Sequence, residues 1–204
     1  MKKEKQIALG DLLVTYWQSL LTGDDMPTIS EFVPNADLKP LLPHILILEV
    51  GESDITVSLL GPAADKKLPI NPTGHSYLET MPSERRYPTM LRVQAMLQHK
   101  CGARLEIEEE ISEGVFASTY MTVVPFAADG DRSACLVAIA PPDTMAEENG
   151  KTEGRPFLGR PMKHFDYLDI GFGGPSQIVE KIMGIEAASP DLAWPDLKTL
   201  FEQR

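Results

Sequence analysis

From Asp11 to Leu21, apolar residues recur every three or four positions. Leu12, Leu13, Tyr16, Trp17, Leu20 and Leu21 therefore share one face of a predicted helix, which Gly23 is placed to end. The following stretch, Asp24 to Pro43, loses that period. Met26-Pro27, Val33-Pro34 and Lys39-Pro40 each restrict the residue before the proline, leaving room for one short helical turn at Ala36 to Leu42. Strand signals then begin. His44 to Val50 is almost wholly apolar, which suits a central strand. Asp54 to Leu60 alternates, with Ile55, Val57 and Leu59 on one face and Thr56 and Ser58 on the other, and reads as its hairpin partner.

Three more strand patterns lie further along. In Arg104 to Ser112, Leu105, Ile107 and Ile111 face inward while Arg104, Glu106, Glu108 and Glu110 face water, and Glu109 breaks the inner row. Short turns at Ser112-Glu113-Gly114 and Asp129-Gly130 join this run to Val115–Phe126 and then to Ala134–Ala140, which predicts an antiparallel meander. Between the second and third strands, Pro62 to Tyr77 reads as loop or short turns. Pro88 to Lys100 reads as a longer helix, with Pro88 in its first turn and Gly102 at its exit. Met90, Val93 and Leu97 lie on its packed face, and Arg92 and Lys100 are expected in solvent.

After Pro141-Pro142 the pattern changes again. The polar run Asp143 to Gly159 reads as a linker. Beyond it, Ser176 can cap a short helix carrying Ile178, Val179, Ile182 and Met183, and Pro195 to Gln203 repeats the pattern with Leu197, Leu200 and Phe201. The expected division is a cap helix over 1–23, a main domain over 24–142, a linker over 143–160 and a helical C-terminal tail over 161–204. The expected class is α+β: a five-stranded antiparallel sheet, an N-terminal cap helix, a long crossing helix and the short helical tail.

Composition narrows the function. Of 204 residues, 43% are hydrophobic and 24% charged, close to the globular average, which argues against wholesale disorder. Thirty acidic against nineteen basic residues give a formal net charge of −11. Such a surface repels phosphate backbones and anionic lipid, so neither nucleic acid nor membrane is an expected partner. No run approaches the roughly eighteen apolar residues of a spanning helix, and the start of the chain lacks the cleavage pattern of a signal peptide. Cys101 and Cys135 make no Cys-x-x-Cys spacing and read as free thiols of a cytoplasmic protein.

Two strands, a helical crossing and a three-strand meander behind an amphipathic helix is the element order of the PAS fold. Individual residues extend the likeness: Tyr16-Trp17 in the first helix, Met26-Pro27, Leu41-Leu42-Pro43-His44 at the first strand, Gly61, Thr73-Gly74, and Cys101-Gly102 before the third strand. In these the chain resembles a family of bacterial stand-alone PAS-like proteins over about Asp11 to Pro142. It departs from that pattern at Pro62-Ala63-Ala64-Asp65-Lys66-Lys67, where the family carries a more regular apolar stretch. The resemblance implies sensing or signalling through ligand or partner binding, without catalysis. It also implies a homodimer through the first helix, with Tyr16, Trp17 and Leu20 as the surface.

Candidate chemistry is sparse. The expected pocket lies between the inner sheet face and the Pro88–Lys100 helix, lined by Val57, Leu59, Met96, Leu105, Ile107 and Tyr120, with His75 and Tyr77 at its mouth. The same residues would also make a filled core. His44, His75, His99 and His164 show no metal spacing, so no metal site is expected. Haem-binding PAS domains use a histidine on or near the long helix, which makes His99 or His75 the candidate axial ligand in the haem alternative. Cys101, at a helix exit, lacks the context of a flavin-reactive cysteine. The glycine run Asp169-Ile170-Gly171-Phe172-Gly173-Gly174 invites comparison with phosphate-binding loops, but Pro175 and the few residues after it favour a turn. Glu109 can meet Arg92, Arg104 or a ligand. The sequence contains no kinase, cyclase or helix-turn-helix signature, so a signal is expected to leave through contact with a signalling protein. The alternatives left open are a small-molecule carrier and an enzyme on the same scaffold.

Overall fold

A computed structural model describes residues 3–33, 35–65, 71–112, 115–130, 133–140 and 162–174, with 109–112, 115 and 136–140 described by backbone alone. The expected linker, the helices at Ser176 and Pro195, and the side chain of Glu109 lie outside the described residues. Helix α1 (Lys3–Ser19) leads through short 3-10 turns to strands β1 (Ile45–Val50) and β2 (Ile55–Leu60). A single turn, α2 (Pro62–Asp65), precedes the long helix α3 (Ser83–His99). Strands β3 (Gly102–Ser112), β4 (Val115–Phe126), β5 (Ser133–Ala140) and β6 (Met162–Leu168) follow. The fold is α+β, and its elements follow the expected order of a helix, two strands, a helical crossing and a three-strand meander.

All six strands form one antiparallel sheet in the order β2-β1-β5-β4-β3-β6. The sixth strand corrects the expected start of a helical tail. Residues 162–168 alternate, with Phe165 and Tyr167 toward one face and His164 and Asp166 exposed, and they hydrogen-bond along β3 from Gly102↔Leu168 to Ile107↔Met162. An uncovered β3 would present a row of unpaired backbone groups, and β6 satisfies them.

The sheet is buried on both faces, so it carries two cores. On the inner face Leu46, Leu48, Val57, Ile107, Met121 and Val123 pack beneath Met90 and Met96 of α3. On the outer face Ile45, Val124, Phe126 and Ala134 pack under Leu13, Tyr16 and Trp17 of α1. Helix α1 begins eight residues before its expected start at Asp11. It approaches the sheet so closely at Gly10 that a Cβ there would lie 2.0 Å from Thr122 Oγ1. The Trp17 indole donates to the Pro125 carbonyl at 2.6 Å. Pro125 lies past the last β3–β4 pair, Ala103↔Val123, where β4 has only β5 beside it and a missing N–H is tolerated.

Helix α3 also starts earlier than its pattern predicts. Pro82 stands at the N-cap and Pro88 is inside the helix instead of in its first turn, at the loss of one backbone hydrogen bond. Lys100, with φ 50° in the left-handed region, closes the helix, and the Cys101 amide returns to the Met96 carbonyl at 3.0 Å.

Candidate functional site

The inner core is not completely filled. A cavity of about 80 Å³ lies between α3 and the sheet, floored by apolar side chains from β1 to β5 that include Leu48, Val50, Ala103, Leu105, Ile107, Met121 and Cys135. Helix α3 roofs it with Arg85, Thr89, Arg92, Val93 and Met96, whose spacing places them on one stripe. Tyr77, Met81, Met162 and Phe165 complete the lining. Strand β6 thus supplies part of the wall, and the cavity would be open without it.

The polar side chains of the lining can all donate: Arg85 and Arg92 only donate, while the Tyr77 and Thr89 hydroxyls donate or accept. Both arginines are buried, at 6% and 9% exposure. The Arg92 guanidinium lies over the Phe165 ring at 4.7 Å from its centroid. Among the described residues, Arg85 has no carboxylate within ion-pair reach, and the loss of water together with the neighbouring Arg92 cation pulls its pKa below the usual value. Burial pushes the Tyr77 phenol up to about 12 and the Cys135 thiol up to about 12, so both stay protonated. The Thr89 hydroxyl lies 3.3 Å from the Met81 sulfur. Nothing in this lining forms a nucleophile–base pair. What the arrangement can do is surround a small apolar group and offer it cationic donors at one side.

Of the residues expected to line the pocket, Tyr77, Met96, Leu105 and Ile107 do so. Val57 is buried in the inner core but lies outside the lining. Leu59 and Tyr120 are turned to the other face, and the cause is the same in both cases. A β-bulge between Ile47 and Leu48 pairs Leu48 with Val57 but Ile47 with Leu59, which skips Ser58 and leaves Leu59 43% exposed. A second irregularity between Glu110 and Ser112 shifts the β3–β4 register, so Tyr120 faces Glu106 and Met121 faces Leu105. Tyr120 then meets Lys3 of α1, 5.4 Å from the ring centroid.

His75 is outside the lining. It belongs to the segment that runs beside β2, where its carbonyl accepts from the Val57 amide at 3.0 Å. His99 is exposed at the end of α3. Neither lines the cavity, and 80 Å³ is well short of the several hundred that an organic cofactor fills, so the lining does not fit haem. Among the described residues no group of three or more His, Cys, Asp or Glu is arranged for a metal ion.

Tyr16 and Trp17, expected on a dimer surface, are buried within the chain. The Tyr16 hydroxyl donates to the Val33 carbonyl at 3.1 Å, its ring packs edge-on against Phe32, and Leu20 is half-buried against the same core. The apolar face of α1 is covered by the chain's own sheet. The glycine run after β6 is likewise a packing turn. The Asp169 carboxylate accepts from the amides of Gly171 and Gly173 at 2.8 and 2.9 Å, which holds its pKa low and seats Phe172 edge-on against Trp17.

The buried arginines are what the periodicity did not disclose. The stripe through Met90, Val93 and Leu97 leaves Arg92 in solvent, whereas the buried stripe also takes in Met96 and continues back through Arg92 and Thr89 to Arg85. Their seven-residue spacing, two helical turns, was the available signal.

No family model matches the chain, and no curated protein matches it. Among solved structures it is similar to a fungal LOV-domain photoreceptor domain, at 17% identity, with 66% of this chain and 91% of that chain covered and a TM-score of 0.37. It is also similar to the PAS domain of an HTR-like protein from Haloarcula marismortui, at 11% identity, covering 69% of this chain and all of the other, with a TM-score of 0.35.

Proposed function

We propose that this chain is a non-catalytic cytoplasmic sensor or adaptor, which holds a small ligand beneath α3 and passes the signal on through contacts with another protein. The observation that carries the reading is a cavity inside the inner core with one helix as its roof, where two buried arginines and two hydroxyls meet an otherwise apolar lining. Such a lining suits recognition, and burial that keeps the Cys135 thiol and the Tyr77 phenol protonated supports the non-catalytic reading. Ligand occupancy changes what α3 rests on, and α3 presents its other face to solvent, with Tyr87 as its most exposed large side chain. No helix among the described residues is long and apolar enough to cross a membrane.

The test is a ligand screen by thermal shift on the full chain and on Ala103→Leu, which adds bulk to the cavity floor. Binding to the native state raises the melting temperature by mass action. At least one compound class is expected to stabilise the unaltered protein and to lose its effect in Ala103→Leu. A screen in which nothing stabilises, and in which denatured protein releases no bound small molecule by mass spectrometry, would reject the reading.

A further inference from the structure

We infer that the ligand of this cavity is a short monocarboxylate with an apolar body, its carboxylate against Arg85 and its carbon chain on the floor of Leu48, Leu105 and Met121. This rests on the sensor reading above and names the chemistry that the reading leaves open.

The argument starts from a cost. A guanidinium cannot be neutralised at physiological pH, and withdrawing it from water is unfavourable unless an anion or a full set of acceptors replaces the lost hydration. Arg85 is 94% buried, lines the cavity and has no carboxylate within ion-pair reach among the described residues. Arg92, two turns along the same stripe, adds a second cation and so raises the cost. Its contact with the Phe165 ring fixes it at the cavity wall without supplying a negative charge to Arg85. A carboxylate placed there would take two parallel N–H···O bonds from the planar fork and lower the repulsion between the arginines. The Tyr77 phenol is protonated and can donate as a further contact.

The remaining walls limit the rest of the molecule. Away from Arg85, Arg92, Tyr77 and Thr89 they are apolar, so a second carboxylate at the far end of the chain would be driven onto Leu and Met side chains, which disfavours dicarboxylates. Inorganic phosphate would match the arginines but leave the floor empty. Size sets the chain length: about 80 Å³ is roughly half of the engineered apolar cavity that takes benzene, so the tail is a few carbons long.

The experiment measures melting shifts and calorimetric Kd of the full chain with pentanoate, and with 1-pentanol, succinate and inorganic phosphate as comparisons. Pentanoate is expected to bind best. Arg85→Met should weaken it tenfold or more, the size of effect that losing a charge-assisted hydrogen bond gives. Without ligand, Arg85→Met should melt about 2–4 °C higher, because a largely buried guanidinium with no carboxylate partner among the described residues has been replaced by an apolar chain of similar length. Arg85→Gln, which retains a donor but no charge, gives an independent answer should methionine pack badly, and is expected to lose pentanoate binding as well. Equal binding of pentanol and pentanoate, stronger binding of succinate or phosphate, or a pentanoate Kd unchanged in Arg85→Met and Arg85→Gln would each overturn the carboxylate assignment. The sensor reading would survive all of these, since it fails only if no compound of any class binds.

Discussion

Gly10 is the residue on which the approach of α1 to the sheet depends. In an ordinary exposed helix Gly→Ala is worth roughly 1 kcal/mol of stabilisation through helix propensity. Here the added methyl would meet both Oγ1 and Cβ of Thr122, at 2.0 and 2.8 Å. Gly10→Ala is therefore expected to destabilise, by about 1–3 kcal/mol as for other overpacked cores, and urea unfolding will read the sign directly. Two titrating groups make a second residue-scale prediction. Cys135 and Tyr77 have folded pKa values of about 12, against ordinary values of 9.0 and 10.0. A raised folded pKa means that burial of the neutral form contributes fully below the unfolded value and is lost as pH rises toward the folded one. Stability should accordingly fall between pH 9 and 12. From pH 8 to 10.5 the cysteine alone accounts for roughly 2 kcal/mol, so Cys135→Ala, though less stable at pH 8, should lose that much less across the interval.

At the scale of elements, much of the sheet was legible and its phase was not. Strand β1 follows from its apolar run, and β2 to β5 follow from alternation or from the turn residues between them. A bulge leaves no comparable mark. One extra residue at Ser58 and one between Glu110 and Ser112 reverse the faces of Leu59 and Tyr120, and a reading that assumes unbroken alternation puts both in the pocket. Helix α3 shows the opposite limitation: its buried stripe includes two arginines, which a hydrophobic period reads as solvent-facing. Strand β6 did carry the alternating signal, but it comes after a polar stretch that reads as the boundary of the domain. Because β6 covers the β3 edge and walls the cavity, ending the chain after residue 161 should cost more than removing a tail would. The expected result is a lower melting temperature, concentration-dependent aggregation and loss of any ligand-induced shift. A truncated chain that melts and binds as the full one does would show β6 to be dispensable.

At the scale of the whole molecule, the sheet is a partition between two separately packed cores, one under α1 and one under α3. Residues 162–174 run from one side of that partition to the other. Phe165 lies against Arg92 at the cavity, and a few residues later Phe172 lies against Trp17 beneath α1. The Gln18 amide ties the same run down by donating to the Ile170 carbonyl at 3.2 Å, and the Lys100 ammonium sits 5.1 Å from the Phe172 ring centroid. This short run works as a strap threaded around the sheet edge: whatever slackens or tightens its grip at Phe165 is felt, by covalent linkage, in the packing of the first helix on the far side.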